Sequence, residues 1–180
     1  MFIFPGPQSL GFQTKFSGTT DATVNNVTTE NSIIPTGSGT MTIPAAWMKV
    51  GNTARLVMRG LCTTPLVAGN ATFKVKLNGN MIASGTVGSL LGSVTNGGIS
   101  LSETITIRST GTTGTAVVAG SVKYPSGALT TKGEADLTST SPITLDTTVD
   151  QVVTVTVQFG LGSHIIKMLT CTLELLEPSS

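Results

Sequence analysis

The chain has 180 residues, a formal net charge of +1 and 11% charged residues, against about 25% in an average soluble domain. This low, balanced charge gives nothing that would steer the chain to a nucleic-acid backbone, and a hydrophobic fraction of 39% excludes a disordered chain. The sequence has no run of about 18 apolar residues that would cross a membrane.

Residues 1–40 are rich in Gly, Pro, Ser, Thr and Asn and lack periodicity, which predicts an irregular N-terminal arm before a domain at 41–178. The opening has no basic start and is interrupted by Pro5 and Pro7, so we do not interpret it as a signal peptide. Such an arm either packs against another chain or wraps its own domain. Its candidate contact residues are apolar: Phe2, Phe4, Leu10 and Phe12.

The next part of the chain alternates with a period of two, which is typical of β-strands. Pro44 precedes a short helical turn, and residues 54–62 then place Arg55 and Arg59 on the wet face of a strand. The pair Asn78-Gly79 between two alternating runs predicts a hairpin. Further along, residues 100–108 alternate between two sets of positions. One set is Leu101, Glu103, Ile105 and Ile107, and the opposite set is Ser102, Thr104, Thr106 and Arg108.

A second run of strands completes the chain. Residues 115–123 follow turn glycines, and residues 124–150 form a long excursion marked by Pro and Gly. Strands at 151–159 and 165–175, with a glycine-rich turn between them, come last. Turns at intervals of about 8–12 residues, with no convincing long helix, predict an all-β fold, a sandwich or barrel.

Two of these strands are apolar on both faces, which calls for a cover on their outer side. Val117 and Val118 are neighbours in one strand, and Ile166 and Met168 fall in the phase opposite Cys171 in the last strand. Two explanations stay open, cover by the 124–150 segment or contact with another subunit. On the second explanation, these four residues are the candidate oligomer interface.

A search for a catalytic or metal-binding set finds none. The single histidine, His164, follows Ser163 directly, so strand geometry points the two side chains to opposite faces, and a turn or interface position is favoured. The nine acids are scattered. Acid pairs in the 134–150 segment leave two alternatives open, a calcium site or, with Asp146 and Asp150, a β-sandwich hydrolase. We therefore predict a non-enzyme without cofactor or metal.

Three residues have a structural and a functional interpretation. Cys62 and Cys171 share phase with apolar neighbours, which favours buried free thiols, with a disulfide between core strands as the alternative. Trp47 follows a proline and precedes an apolar residue, so we interpret it as a packing anchor, with sugar stacking as the alternative.

Three stretches together resemble a jelly-roll module found in virion proteins of tailed phages. The first is residues 42–60, with Pro44, a short turn and then Val-Gly-Asn-Thr at 50–53 before a strand. The second is the alternating run at 101–111, and the third spans 153–174. The similarity covers roughly residues 40–176, in proteins that serve as capsid decoration proteins and as fibre or appendage domains, often as trimers.

The resemblance implies an antiparallel jelly-roll β-sandwich that forms a homotrimer and has no catalytic residues. The expected function is a capsid decoration (cement) protein or head spike that binds the major capsid protein, with the arm gripping the shell. The alternatives are a tail- or head-fibre domain that binds a receptor or host-surface glycan, and a jelly-roll major capsid protein. The implied location is the outer capsid surface after synthesis in the bacterial cytoplasm, with no direct contact with nucleic acid or membrane.

Overall fold

The computed structural model describes residues 12–26, 28–67, 69–88, 90–126 and 128–177. Within these ranges it contains one 3-10 helix, Ala45–Trp47, and fourteen strands. The strands are β1 (Phe12–Gly18), β2 (Ala22–Asn25), β3 (Asn31–Ser32), β4 (Gly37–Gly39), β5 (Thr42–Ile43), β6 (Thr53–Thr63), β7 (Ala71–Leu77), β8 (Asn80–Val87), β9 (Gly97–Ser109), β10 (Gly114–Ser126), β11 (Ala128–Asp136), β12 (Ile143–Leu145), β13 (Gln151–Phe159) and β14 (Ile165–Leu176).

The strands form two antiparallel sheets, which confirms the all-β prediction. Over the described residues, the larger sheet has nine strands in the order β11-β10-β9-β6-β14-β1-β4, with β12 beside β10 and β2 beside β14. The smaller sheet has five, in the order β3-β13-β7-β8, with β5 beside β13. The described segments contain no helix with the length and apolar character that a membrane crossing requires.

The core lies between the two sheets and is built by strict alternation along the central strands. In β13, Val153, Val155, Val157 and Phe159 are at most 1% exposed, while the residues between them face outward. Inward residues of β6 and β9, such as Leu56 and Leu101, belong to the same cluster.

The turns follow the local sequence. Asn78 and Gly79 both have positive φ, 47° and 80°, as a two-residue hairpin turn of type I′ requires, and they join β7 to β8. The predicted turn after Pro44 is the 3-10 helix. Both predictions are confirmed. The sequence could predict these turns because each depends on a few neighbouring residues.

A β-bulge in β14 explains why that strand looked apolar on both faces. The pairing with β6 shifts register between Met168 and Thr170, which adds one residue and reverses the phase. Ile166 and Met168 before the bulge and Cys171 after it are therefore all buried on the core face. The sequence analysis placed the first two on the opposite face, and the structure corrects that. Leu169, at the bulge, is turned outward and is 38% exposed.

The segment predicted as a long excursion is mostly strand. Tyr124 and Pro125 continue β10, and the chain returns as β11 to form a hairpin at the edge of the large sheet. The pairing of β10 with β9 ends at Lys123, one residue before these two, so Pro125 interrupts no β9 ladder bond. The hairpin widens the sheet sideways. Its described residues pair along the edge of β10, beside the strand that contains Val117 and not over its outer face.

The described part of the N-terminal arm is also more regular than predicted. Strands β1 and β2 pair with β14, while β3 and β5 pair with β13, so the described residues of the 12–43 segment run along both sheets of their own domain. Of the two explanations for the arm, the structure shows wrapping for this part. Phe2, Phe4 and Leu10 lie outside the described residues, and Phe12 begins β1 opposite Leu176.

Candidate functional site

A shallow groove of about 690 Å³ crosses the outer face of the large sheet. Three neighbouring strands form it, because β6 pairs with β9 and β9 pairs with β10. One row across these strands consists of Arg59, Ser100 and Lys123, and the next consists of Val57, Ser102 and Ser121. Neighbouring residues of a row are about 4.8 Å apart at the backbone. Arg55 lies on β6 at the end of the groove.

The groove is concave because its floor is built from small residues. Gly60 and Gly98 lie at one end, and the three serines continue the floor. The Ile99 and Leu101 side chains point into the core, so these two residues contribute only main chain. Longer side chains on either flank make the walls, with arginines on the β6 side and Lys123 on the β10 side.

The groove is positively charged, and the ion pairs that its cations form are weak. The Arg55 guanidinium is 3.8 Å from Glu174, and the Lys123 ammonium is 3.8 Å from Glu134. Both separations exceed hydrogen-bond distance, and both cations are about half exposed, so each pair contributes little to stability. Within the described residues, no hydrogen bond or ion pair involves the Arg59 guanidinium. The acids lie on β14 and β11, on the far side of each cation from the groove floor.

The other half of the same face is a patch of threonines whose hydroxyls are already paired. This threonine patch consists of Thr53, Thr104, Thr106, Val117 and Ala119. The Thr53 and Thr106 hydroxyls are 3.0 Å apart, and the Thr104 hydroxyl donates to the Ala119 carbonyl oxygen at 2.7 Å. A partner could cover these side chains without leaving a polar group unpaired.

The four residues predicted for an oligomer interface do not form one surface. Val118, Ile166 and Met168 are at most 1% exposed and belong to the core of the single chain. Their burial comes from strand alternation in β10 and from the bulge in β14. Only Val117 of the four keeps its side chain on the outer face, where it is half-buried in the threonine patch.

His164 is a structural residue at the turn between β13 and β14. Its ring stacks on Phe159, with centroids 4.9 Å apart, and is completely buried. Nδ1 lies 2.9 Å from the Leu161 carbonyl oxygen, which can only accept, while Nε2 accepts from the Gly69 N–H at 3.4 Å. These contacts assign the proton to Nδ1 and leave neither nitrogen for a substrate.

The acids of the 134–150 segment stabilise turns or lie exposed. Asp146 accepts from the N–H and hydroxyl of Thr148, and these hydrogen bonds lower the pKa of Asp146. Asp150 accepts from the Ala45 N–H at 2.8 Å and so holds the 3-10 helix. In the part of the chain that the structure describes, no group of three His, Cys, Asp or Glu side chains could hold a metal ion.

Both cysteines are buried free thiols, as the phase analysis favoured. Burial raises the pKa of Cys62 to about 11 and that of Cys171 to about 12. Trp47 packs in the core at 7% exposure, in agreement with its interpretation as an anchor, and its indole N–H has no partner among the described residues. The Tyr124 ring is also buried, where it packs over Gly133.

One acid, Glu103, shares a strand phase with apolar residues in the sequence, and its burial was not predicted. Glu103 faces the core at 1% exposure, and neither carboxyl oxygen has a hydrogen-bond partner in the described residues. The side chain fits over the Cα of Gly120, where a Cβ would lie 2.5 Å from Oε2. Burial raises the pKa of Glu103 to about 8.

The sequence signal for the groove was partial. Alternation showed that Arg55 and Arg59 share a wet face, but their meeting with Lys123 and the serines depends on the register of three strands. The sequence matches no protein-family model, and a search of curated proteins finds no significant match.

Proposed function

We propose that the chain is a structural protein of a phage virion, a capsid decoration (cement) protein or head spike that binds the head shell as a homotrimer. The three stretches that resemble such proteins fall on β6, β9, β13 and β14. Three of these strands are neighbours in the large sheet, in the order β9-β6-β14. The resemblance is thus concentrated in the central strands of the fold.

The pairing order is consistent with a jelly-roll type of sandwich. Strand β6 pairs with β14, and β7 pairs with β13. Both strands of the β7–β13 pair lie between β6 and β14 in the sequence, so one pairing is nested inside the other. Such nesting wraps the chain around the sandwich and brings the described part of the arm onto its edges. The jelly-roll assignment and the trimer are part of the proposal.

The threonine patch is the single observation that carries the proposal. It offers apolar methyl groups and hydroxyls that are already hydrogen-bonded, and it contains no charge. Covering such a surface avoids the free-energy cost of burying an unpaired charge or hydroxyl. A closed trimer around a three-fold axis would match the local three-fold positions of a capsid lattice.

Light scattering and co-sedimentation test this proposal. The protein should be a trimer and should sediment with heads that lack it. Thr106→Lys places a charge in the patch and should weaken trimer or head binding. Thr86→Lys is the matched control, because the Thr86 hydroxyl pairs with Thr72 at 3.0 Å on the other sheet. A monodisperse monomer without affinity for heads would contradict the proposal.

The alternative, a glycan- or receptor-binding fibre domain, is favoured by a different observation, the open cationic groove. The groove and the threonine patch adjoin on one face, because Arg55 of the groove lies opposite Thr104 of the patch. Substitutions away from this boundary test each surface without the other.

A further inference from the structure

The groove on the outer face has the chemistry of a ligand site, because hydroxyl groups line its floor and cations line its walls. Among the described residues, the Ser100, Ser102 and Ser121 side chains make no hydrogen bond, in contrast to the paired hydroxyls of the threonine patch. Each serine hydroxyl can donate one bond and accept others. The floor therefore carries three hydroxyl groups that have no hydrogen-bond partner in the part of the chain that the structure describes.

The cations define what kind of ligand completes the site. Arg55 and Arg59 are four residues apart on one strand, which puts their Cα atoms about 13 Å from each other. Lys123 lies across the floor from Arg59, in the same row. A guanidinium fork matches the two oxygens of a carboxylate, so the walls favour a ligand with carboxylates spaced along its length.

The backbone of the groove argues against an added peptide strand. Strand β6 is paired on both sides, by β14 and β9, and β9 is paired on both sides, by β6 and β10. Strand addition needs a free sheet edge. A ligand here is therefore held through side-chain hydroxyls and cations, which suits a molecule that has hydroxyls of its own.

We propose that this groove binds an acidic oligosaccharide, with its sugar hydroxyls on the serine floor and its carboxylates on Arg59, Arg55 and Lys123. The volume, about 690 Å³, lies within the range of about 300–1,000 Å³ that small-molecule sites occupy. The inference does not depend on the virion proposal, because it rests on the groove alone.

Calorimetric titration with tetragalacturonate tests the proposal, and its methyl ester is the uncharged matched ligand. The protein should bind the acid in the micromolar to millimolar range, and the ester at least about tenfold more weakly. Binding should weaken with added salt, because the cations are exposed.

Variants locate the binding. Arg59→Ala should reduce affinity for the acid at least about tenfold. Arg108→Ala removes an exposed arginine of β9 that is outside the groove, and it should leave affinity unchanged. Ser102→Tyr keeps every cation but fills the floor, and it should abolish binding while circular dichroism shows an unchanged strand content.

Four results would overturn the proposal. They are no binding of the acid, equal binding of acid and ester, equal affinity of Arg59→Ala and the unmodified protein, or tetraglutamate binding as tightly as the saccharide. The last result would instead indicate an acidic peptide.

Discussion

Glu103 is an ionisable residue that lies in the apolar core without a hydrogen-bond partner among the described residues. A charged carboxylate without hydrogen bonds inside a protein core is costly, so the folded chain keeps the proton on Glu103. The raised pKa, about 8 against an ordinary 4.5, follows from burial alone. Because the unfolded chain releases this proton near pH 4.5, folding stability falls as pH rises from 4.5 to 8 and then levels off.

Glu103→Gln should therefore stabilise the protein at high pH. Gln has nearly the same shape and does not ionise, so we expect a gain of about 3 kcal/mol at pH 8 and little change at pH 4. Urea unfolding at a series of pH values measures this difference. The exposed Glu134→Gln is the control and should change stability little at either pH. A gain that is equal at pH 4 and pH 8 would contradict a buried, protonated carboxyl.

Glu30 has the opposite shift and a role that sequence reasoning missed. Its carboxylate accepts hydrogen bonds from the Lys74 ammonium at 2.8 Å, from Lys76, and from the Thr156 hydroxyl at 2.8 Å. These bonds lower the pKa of Glu30 to about 2. They attach the segment before β3 to the outer face of the small sheet.

Glu30→Gln should destabilise the protein by about 1 kcal/mol at pH 7, a modest figure because the group is partly solvated. The lowered pKa means that this stability is present above pH 4.5 and is lost as pH falls through about 2. The difference between the variant and the unmodified protein should thus disappear near pH 2. Chemical unfolding at both pH values tests this, with the exposed Glu177→Gln as control. A difference that persists at pH 2 would contradict the ion-pair account.

At the scale of elements, the two sheets come closest where β8 meets β11. A Cβ at Gly85 would overlap the carbonyl oxygen of Asp136 and would lie 2.9 Å from the Leu137 side chain. Leu137 is completely buried and closes this side of the core. The absence of a side chain at Gly85 lets the edge of the large sheet approach the edge of the small one.

Gly85→Ala should destabilise the protein by about 1–3 kcal/mol, because the two edges must move apart. Gly88→Ala is the matched control, since nothing lies within 4 Å of a Cβ at Gly88. Thermal unfolding of both variants compares them. Equal melting temperatures would show that β8 and β11 do not approach as closely as described.

The sequence predicted elements whose signals are local. The hairpin at Asn78-Gly79, the turn after Pro44 and the core strand β13 all follow from residues next to one another. It did not predict the bulge at Met168, because an added residue changes the phase without any unusual residue type. Nor did it predict the strands of the arm, since short strands at a sheet edge derive their stability from the partner strand and not from their own pattern.

The candidate site, like the fold, was predictable only where its signals are local. Alternation put the two arginines of β6 on a wet face, which is confirmed, and it put Glu103 in phase with apolar residues without predicting that this acid is buried. The groove itself needs the register that brings Arg59, Ser100 and Lys123 into one row, and register between strands distant in sequence is a tertiary property. Three of the four residues predicted for an interface are instead in the core, because alternation in β10 buries Val118 and the bulge in β14 keeps Ile166 and Met168 on the core face.

At the scale of the whole molecule, one sheet face divides into two surfaces of different chemistry. The threonine patch has paired hydroxyls and no charge, which suits contact with protein. The groove has unpaired hydroxyls among the described residues and three cations, which suits an anionic ligand. Only 11% of the residues are charged, and three of the few cations line this groove, where they can bind an anionic ligand.

The most direct test of the proposed function is a cryo-EM reconstruction of the virion whose genome encodes this chain. The account predicts density for the two-sheet sandwich on the outer surface of the head, in groups of three. The threonine patch should lie at protein contacts, and the groove should stay open to solvent. Absence of the chain from the head, or a threonine patch that faces solvent in every copy, would contradict the account.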